Sequence, residues 1–140
     1  MAKIICGFPG IGKTTIINTH SNAIDLDSAA YSRSPDFPVN YLFDIRSAIS
    51  DGYEYILIST HSQVLEMLTA LHMDYTLVYP DVSLKEEYMK RYVDRESLLG
   101  FINYIDEMWD EFVLACDYVQ APTKFVLQSG EYLSDVFEKI

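Results

Sequence analysis

Basic residues are scarce in this sequence. Ten lysines and arginines stand against 21 aspartates and glutamates, which gives a formal net charge of −11 at pH 7. A surface of that sign repels phosphate backbones and anionic lipid, so we expect neither broad nucleic-acid binding nor membrane binding. A local cationic pocket for one small phosphorylated molecule is compatible with this charge.

Cysteines and long apolar runs are scarce as well. The two cysteines, Cys6 and Cys116, do not have the spacing of metal ligands, and we interpret them as reduced thiols in the core of a cytoplasmic protein. No apolar run approaches the roughly 18 residues of a membrane span. A strand pattern begins close to the first residue, so we expect no signal peptide. The 140 residues contain no internal repeat and predict one domain, 1–140.

Strand-like and helix-like runs alternate along the chain. The strand-like runs are 3–8, 22–27, 53–60, 75–80 and 124–128, and the helical patterns are 13–20, 38–50, 62–71, 83–95, 98–116 and 134–140. The first, third and fourth strand-like runs have continuously apolar centres, which is typical of strands covered on both faces. The alternation predicts an α/β fold, a parallel sheet with helices on both faces, in which ligands bind beyond the carboxyl ends of the strands.

Three of the helical patterns carry further expectations. Ser62 is an expected N-cap, and Ser83 with Glu86 forms an expected capping box. In the 98–116 helix the apolar residues form one stripe, which predicts a core-facing surface rather than a cofactor site. The stripe consists of Leu98, Phe101, Ile102, Ile105, Trp109, Phe112, Val113 and Cys116.

One short motif carries the strongest functional signal. Residues 7–15 read "GFPGIGKTT", and the pattern G-x-x-x-x-G-K-T is the phosphate-binding P-loop. It follows a predicted strand and precedes a predicted helix, which is the context that the motif requires. Gly7, Gly10 and Gly12 let the backbone turn tightly and direct N–H groups at phosphate oxygens, and the helix dipole adds to this field.

The motif predicts a site for ATP and Mg²⁺. Lys13 is expected to reach the β- and γ-phosphates, Thr14 to ligate Mg²⁺ and Thr15 to contact the α-phosphate. The expected nucleotide-binding residues of the loop are Gly7, Pro9, Gly10, Ile11, Gly12, Lys13, Thr14 and Thr15.

Sequence motifs of other classes of nucleotide-binding protein are missing. The third strand ends in "ILISTHS", without the acidic pair that holds Mg²⁺ and activates water in motor ATPases, and no N-K-x-D segment is present to read guanine. The chain is also too short for helicase lid modules. What remains is the branch of small kinases.

The chain resembles small P-loop kinases of the nucleoside-monophosphate kinase and shikimate kinase type, and it is also similar to small kinase-like proteins encoded by phages. The resemblance implies a P-loop NTPase three-layer sandwich with strand order 2-3-1-4-5. It also implies an acceptor-binding segment at about 28–50 and a short lid at about 85–100.

The segment "AIDLDS" places Asp25 and Asp27 on the same face of a strand. The resemblance implies that both residues bind the acceptor. Asp25 would in addition contact Mg²⁺, and Asp27 would orient or deprotonate the acceptor hydroxyl. The alternative is that one of them only caps the turn through Ser28.

The segment "KEEYMKRYVDR" resembles the family's lid entry, which implies that Arg91 and Arg95 grip the transferring phosphate as catalytic residues beside Lys13 and Asp27. The alternative is that Glu86–Lys90 and Glu87–Arg91 are ordinary pairs on a helix surface, which leaves Arg95 unpaired within the helix.

Further residues are candidates by their place in the family pattern. Arg33, Arg46, Thr60 and His61 are expected at the acceptor, and Ser129 and Gly130 at the adenine. The alternatives are exposed arginines, a helix cap at His61 and a simple glycine-containing turn at Gly130.

These observations predict an ATP-dependent phosphotransferase that moves the γ-phosphoryl group to a small acceptor, a nucleotide or a nucleoside. Nucleoside-monophosphate kinases usually carry an arginine after strand 3, and here the position reads "THSQ", so a sugar or another alcohol stays open. The alternative is an ATP-binding switch that hydrolyses ATP slowly and acts through a protein partner. The negative net charge disfavours a kinase that phosphorylates the ends of nucleic acids.

Overall fold

Five parallel strands form one sheet in the computed structural model, which describes residues 2–140. The strands are β1 (Lys3–Gly7), β2 (Ala23–Leu26), β3 (Tyr55–Ile58), β4 (Thr76–Pro80) and β5 (Thr123–Leu127). Their order across the sheet is β2-β3-β1-β4-β5. The α/β class and the parallel sheet expected from the sequence, and the strand order implied by the resemblance, are therefore confirmed.

Helices connect the strands, and a short helix follows the last strand. They are α1 (Lys13–Thr19), α2 (Val39–Ser50), α3 (Ser62–Ala70), α4 (Lys85–Asp94), α5 (Leu99–Tyr118) and α6 (Leu133–Val136), and short 3-10 turns lie at Ser28–Ala30, Val82–Leu84 and Phe137–Lys139. Within residues 2–140, no helix is both long enough and apolar enough to cross a membrane.

The strand order determines where the helices pack. The β1–β2 connection runs across the sheet in one direction, and the other three connections run in the opposite direction. Because such crossovers are right-handed, α1 covers one face of the sheet and the helices between β2 and β5 cover the other. The C-terminal segment joins α1, where the rings of His20 and Phe137 lie 4.8 Å apart.

The central strands are buried along their whole apolar stretch. Ile5, Leu57 and Val78 are fully buried in β1, β3 and β4, which explains why these runs are continuously apolar instead of alternating. Both cysteines are buried free thiols. Burial raises the pKa of the Cys6 thiol and raises that of Cys116 to about 12, so both thiols stay protonated at neutral pH.

Two predicted helix starts are wrong. The backbone N–H of Ser83 donates to the Asp81 carboxylate at 3.0 Å, so a 3-10 turn forms there and the predicted capping box of Ser83 and Glu86 does not. α3 is capped by His61, whose Nδ1 accepts from the Gln63 N–H at 3.3 Å, and Ser62 is its first residue. In both cases a residue between the preceding strand and the predicted start supplies the acceptor.

The apolar stripe of α5 is largely core, as predicted. Ile105, Trp109, Val113 and Cys116 are buried. The exception is Leu98, which precedes the helix and is 81% exposed. The Trp109 indole N–H donates to the Val82 carbonyl at 2.8 Å, and its ring packs against Phe8 at 5.4 Å. α5 therefore supports the loop that follows β1.

Candidate functional site

The loop between β1 and α1 lies at the carboxyl end of the central strand. Gly10 and Gly12 have φ values of +92° and +97°, which are unfavourable for residues with a side chain. Tyr92 of α4 lies against Gly10, because a Cβ added to that glycine would come within 2.9 Å of the ring carbon Cε1. A glycine is therefore required at position 10 for two independent reasons.

Other parts of the chain hold three successive carbonyl groups of this loop. The Tyr92 hydroxyl donates to the Pro9 carbonyl at 2.7 Å, and Nη1 of Arg91 donates to the Gly10 carbonyl at 2.9 Å. The N–H of Leu133 donates to the Ile11 carbonyl at 2.7 Å. Because the N–H and C=O of a trans peptide point in opposite directions, the N–H groups of Gly10 and Gly12 are directed away from these partners. The loop is thereby preorganised for an anion.

Replacing Gly10 by alanine tests this arrangement. We expect the free energy of unfolding to fall by about 1–3 kcal/mol, because alanine is strained at positive φ, and more if the Tyr92 ring cannot move aside. If the loop binds ATP, as the motif predicts, ATP affinity should fall by about tenfold or more as the loop shifts. Urea unfolding and isothermal titration calorimetry measure the two effects.

Gly52 offers a matched control for the Gly10 substitution. It has a similar φ of +91°, but no atom lies within 4 Å of an added Cβ. Gly52→Ala therefore carries the backbone cost alone, and ATP affinity should stay unchanged. Equal losses of ATP affinity in the two variants would contradict the proposed role of the loop.

Lys13 begins α1 and lies partly buried beside the loop. Its Nζ donates to the Gly7 carbonyl at 3.0 Å. Burial lowers the pKa of this amine, and the nearby carboxylates of Asp25 and Asp27 only partly oppose the shift. A bound anion would supply the missing compensation, because opposite charge favours the protonated amine.

Two carboxylates lie at the carboxyl end of β2. Asp25 lies in β2 and Asp27 comes directly after it, and β2 pairs with β3 so that Leu26 lies opposite Ile58. This register brings Asp27 to the level of Ser59, the first residue after β3. Burial raises the pKa of Asp25, and the charge of Lys13 opposes this effect.

Two cavities meet at this point. The larger, of about 720 Å³, is lined by the glycine-rich loop, both carboxylates and α4. The smaller, of about 450 Å³, extends toward the ends of β2 and β3 and toward α5. Their linings share Pro9, Lys13, Asp27, Ser59 and Phe101. Lys13 and Asp27 thus stand where a ligand of one cavity would meet a ligand of the other.

Arg91 makes several contacts with other parts of the chain. Its guanidinium contacts the Glu87 carboxylate at 3.0 Å, which is the helix pair considered from the sequence, and it also donates to the Glu131 carbonyl at 3.1 Å. It stacks on the rings of Tyr88 and Tyr132, at 4.3 and 3.9 Å from their centroids. These contacts and its bond to the loop occupy Arg91 as a structural support, although it lines the larger cavity.

Arg95 is the more available arginine of the two. Its Nε donates to the Ser97 hydroxyl at 2.8 Å, and the exposed guanidinium lies 5.0 Å from the Tyr92 ring centroid at the edge of the larger cavity. Of the two helix pairs considered as the alternative, Glu86–Lys90 is not found, because Lys90 pairs with Asp94 at 2.8 Å.

The predicted magnesium ligands fit a shared site. Thr14 and Asp25 both line the larger cavity with Asp27. In the part of the chain that the structure describes, no group of three or more His, Cys, Asp or Glu residues could hold a metal alone. Mg²⁺ does not need one, since it is commonly bound by one or two carboxylates together with substrate phosphates. Thr15 is exposed in α1.

Some of the other predicted site residues line the smaller cavity, and others lie outside both cavities. Thr60 and His61 line the smaller cavity. Arg33 and Arg46 are exposed and belong to neither lining, since Arg46 lies on the outer face of α2. Among the described side chains of the segment 28–50, those of Ser28 and Ser32 line the smaller cavity.

The predicted adenine contacts are engaged elsewhere. The Ser129 hydroxyl and the Gly130 N–H donate to the Glu87 carboxylate at 2.6 and 3.0 Å. These bonds lower the pKa of Glu87. They also fix the loop after β5, so the side chain that reaches the larger cavity from this loop is Tyr132.

Sequence reasoning missed several lining residues. Tyr132, Ser59 and Tyr104 were not candidates, and Phe101 and Phe112 of α5 were interpreted only as core. The sequence of α5 contains one indication of a cavity lining. Tyr104 lies one turn after Phe101 and beside the apolar stripe. An aromatic residue at the margin of a core stripe can line a cavity as well as fill one.

The comparisons with known proteins show the fold alone. No protein-family model matches the sequence, and no curated protein matches it. The structure is similar to the crystal structure of an uncharacterized protein from Eubacterium ventriosum ATCC 27560, with a TM-score of 0.53 and 12% sequence identity. The similarity covers 99% of this chain and 94% of the other. At this level of identity, the relationship is one of architecture.

Proposed function

We propose that this protein is a P-loop NTPase-type kinase that transfers the γ-phosphoryl group of ATP to a small acceptor. One observation carries the proposal: the cavity at the glycine-rich loop and the smaller cavity share Lys13 and Asp27. A phosphotransferase needs a donor site and an acceptor site that meet at one cation, and two cavities that share one lysine support this function.

The donor would lie in the larger cavity. The N–H groups of Gly10 and Gly12 and the amine of Lys13 would bind its phosphates, and the hydroxyl of Thr14 with the Asp25 carboxylate would hold Mg²⁺. When bound, Mg²⁺ supplies neutralisation of the charge on the β- and γ-phosphates. Arg95, at the edge of this cavity, would add a second cation from α4.

The acceptor would lie in the smaller cavity. Its hydroxyl oxygen forms a bond to the γ-phosphorus while the bond from that phosphorus to the bridging oxygen of ADP breaks. Asp27 is placed to accept the hydroxyl proton, because it lines both cavities. The role of the chain is positioning and charge stabilisation.

ADP release from Mg-ATP across a panel of nucleosides, nucleoside monophosphates, sugars and small alcohols tests this function. We expect at least one class to stimulate release, and Asp27→Asn to reduce the stimulated rate by about 10²–10⁴-fold through loss of a general base. Asp51→Asn, in the exposed turn after α2, is the matched control. Release that is insensitive to every acceptor would contradict the proposal.

The pH dependence of ATP binding should report on Lys13. Since burial lowers the pKa of its amine, Lys13 loses its charge at a lower pH than the usual value of about 10.4. ATP affinity should therefore fall with rising pH, beginning below that value. Calorimetric titrations at increasing pH measure the fall. Lys13→Arg stays charged over this range and should flatten the profile, and an unchanged fall in that variant would assign the titration to another group.

A second candidate function is the ATP-binding switch. It is favoured by exposed apolar side chains at the α4–α5 connection, where Val93, Leu98 and Leu99 are 61%, 81% and 70% exposed. Such a surface suits a protein partner. Slow ATP hydrolysis at a rate independent of every small acceptor would favour this function over the kinase.

A further inference from the structure

The smaller cavity has an apolar wall. Phe101, Tyr104 and Phe112 of α5 supply it, and the rings of Tyr104 and Phe112 meet edge to face with their centroids 5.5 Å apart. Tyr104 is 54% exposed, so a large part of its ring remains open to a ligand. A wall of this kind favours a flat, apolar or aromatic group.

Another part of the lining is rich in hydroxyl groups. Ser59 and Thr60 follow β3, Ser62 begins α3, and Ser28 and Ser32 come from the segment after β2. A hydroxyl group both donates and accepts hydrogen bonds. This part of the lining therefore suits a ligand that carries several neutral hydroxyl groups.

His61 adds a neutral polar group to the lining of the smaller cavity. Its Nδ1 accepts from the Gln63 N–H, which leaves Nε2 as the N–H donor of the neutral ring. Burial lowers the pKa of this imidazole, so His61 does not bring a positive charge to the cavity at neutral pH.

The charges of the cavity disfavour an anionic acceptor. Among the described residues that line it, Lys13 is the one lysine or arginine, and the Asp27 carboxylate accompanies it. Lys13 also lines the larger cavity, where donor phosphates would engage it. A phosphate or carboxylate on the acceptor would face Asp27 without a cation of its own, and desolvating it would be unfavourable.

We propose that the smaller cavity binds an uncharged acceptor that combines a flat aromatic ring with hydroxyl groups, the chemistry of a nucleoside, in preference to a nucleoside monophosphate. The inference rests on the proposed phosphotransferase function. The aromatic ring packs against Tyr104, and the reacting hydroxyl lies near Asp27. The phosphorus–oxygen bond forms on that hydroxyl, its proton passes to Asp27, and ADP leaves, so that the products are a phosphate monoester and ADP.

The test compares nucleosides with their 5′-monophosphates at equal concentrations. Adenosine, guanosine, cytidine, thymidine and their 5′-monophosphates are assayed for stimulated ADP release, and direct binding is measured by isothermal titration calorimetry without ATP. We expect at least one nucleoside to exceed its own monophosphate in kcat/KM by about tenfold or more, since the monophosphate buries an unpaired charge.

Three substitutions on α5 test the apolar wall. Tyr104→Ala should raise the KM for the nucleoside by about 10- to 100-fold through loss of stacking, with the KM for ATP unchanged. Tyr104→Phe should keep the nucleoside KM close to the original. Tyr118→Ala is the matched control, because Tyr118 lies on the same helix, is 83% exposed and does not line the cavity.

Failure of this inference can be distinguished from failure of the proposed phosphotransferase function. Preference for monophosphates, or an unchanged nucleoside KM in Tyr104→Ala, would overturn the inference and leave the phosphotransferase function standing. Stimulation only by aliphatic alcohols would do the same. ATP binding without stimulation by any acceptor would overturn both.

Discussion

Lys13→Ala should lower acceptor-dependent ADP release by about 10²–10³-fold in kcat/KM, the loss typical when one charge-stabilising donor is removed from an active site. Lys13 lines both cavities and is held beside the loop by its bond to the Gly7 carbonyl. No neighbouring lysine can replace it there, because Lys13 is the one lysine in either lining among residues 2–140. Initial rates at varied ATP and acceptor concentrations measure the effect.

Lys139→Ala provides the control for charge. Lys139 is exposed near the C-terminus and lies outside both linings, so this variant changes the net charge equally and should retain the original rate. Because Lys13 is partly buried, circular dichroism must first show that Lys13→Ala is folded. A folded Lys13→Ala protein with undiminished acceptor-dependent release would remove Lys13 from the mechanism.

Trp109→Ala should lower the free energy of unfolding by about 3–5 kcal/mol, the range for truncation of a buried aromatic residue. Trp109 is 1% exposed and packs against Phe8 and Tyr88, with ring centroids 5.4 and 5.5 Å away. Its loss would leave a cavity between α5 and the start of the glycine-rich loop. Urea unfolding followed by far-ultraviolet circular dichroism measures the change, because the substitution removes the single tryptophan as a fluorophore.

Trp109→Phe separates packing from hydrogen bonding. Phenylalanine keeps an aromatic ring but cannot donate to the Val82 carbonyl, which the indole N–H does at 2.8 Å. We expect a loss smaller than that of Trp109→Ala and including about 1–3 kcal/mol for the unsatisfied carbonyl. A loss below about 1 kcal/mol in Trp109→Ala would contradict the assigned packing role.

Local signals made much of the fold predictable. Continuously apolar runs identify strands buried on both faces, and Ile5, Leu57 and Val78 are fully buried as this pattern requires. The spacing of Gly7, Gly12 and Lys13 identifies the loop within eight residues. In each case the determining interactions lie within a few residues of one another, so a single sequence contains them.

The parts of the site that sequence reasoning missed depend on distant contacts. Tyr132 lies 120 positions after Gly12, yet a Cβ on Gly12 would come within 3.2 Å of its ring. Arg91 was predicted as a catalytic arginine from its charge and spacing, and its bonds to the carbonyls of Gly10 and Glu131 add a supporting role that spacing does not indicate. Tyr104 lines a cavity that exists because α5 passes the ends of β2 and β3. Helical periodicity alone does not encode such packing.

The fold and the candidate chemistry are connected through α4. Arg91 and Tyr92, near its C-terminal end, donate to the carbonyls of Gly10 and Pro9, and Arg95, directly after it, lies at the edge of the larger cavity. A movement of α4 would therefore change both the shape of the loop and the position of a candidate phosphate-binding arginine. We propose that these residues hold an ATP whose terminal phosphate is transferred.

Tracing that phosphate tests the claim most directly. The protein is incubated with Mg-ATP labelled at the γ-phosphorus and with the acceptor that most stimulates ADP release, and the labelled products are separated. We predict that the label appears in a phosphate monoester of the acceptor, in amounts equal to the ADP formed, and that Lys13→Ala loses this transfer. Label found only as inorganic phosphate, at the same rate with and without acceptor, would contradict the phosphotransferase function.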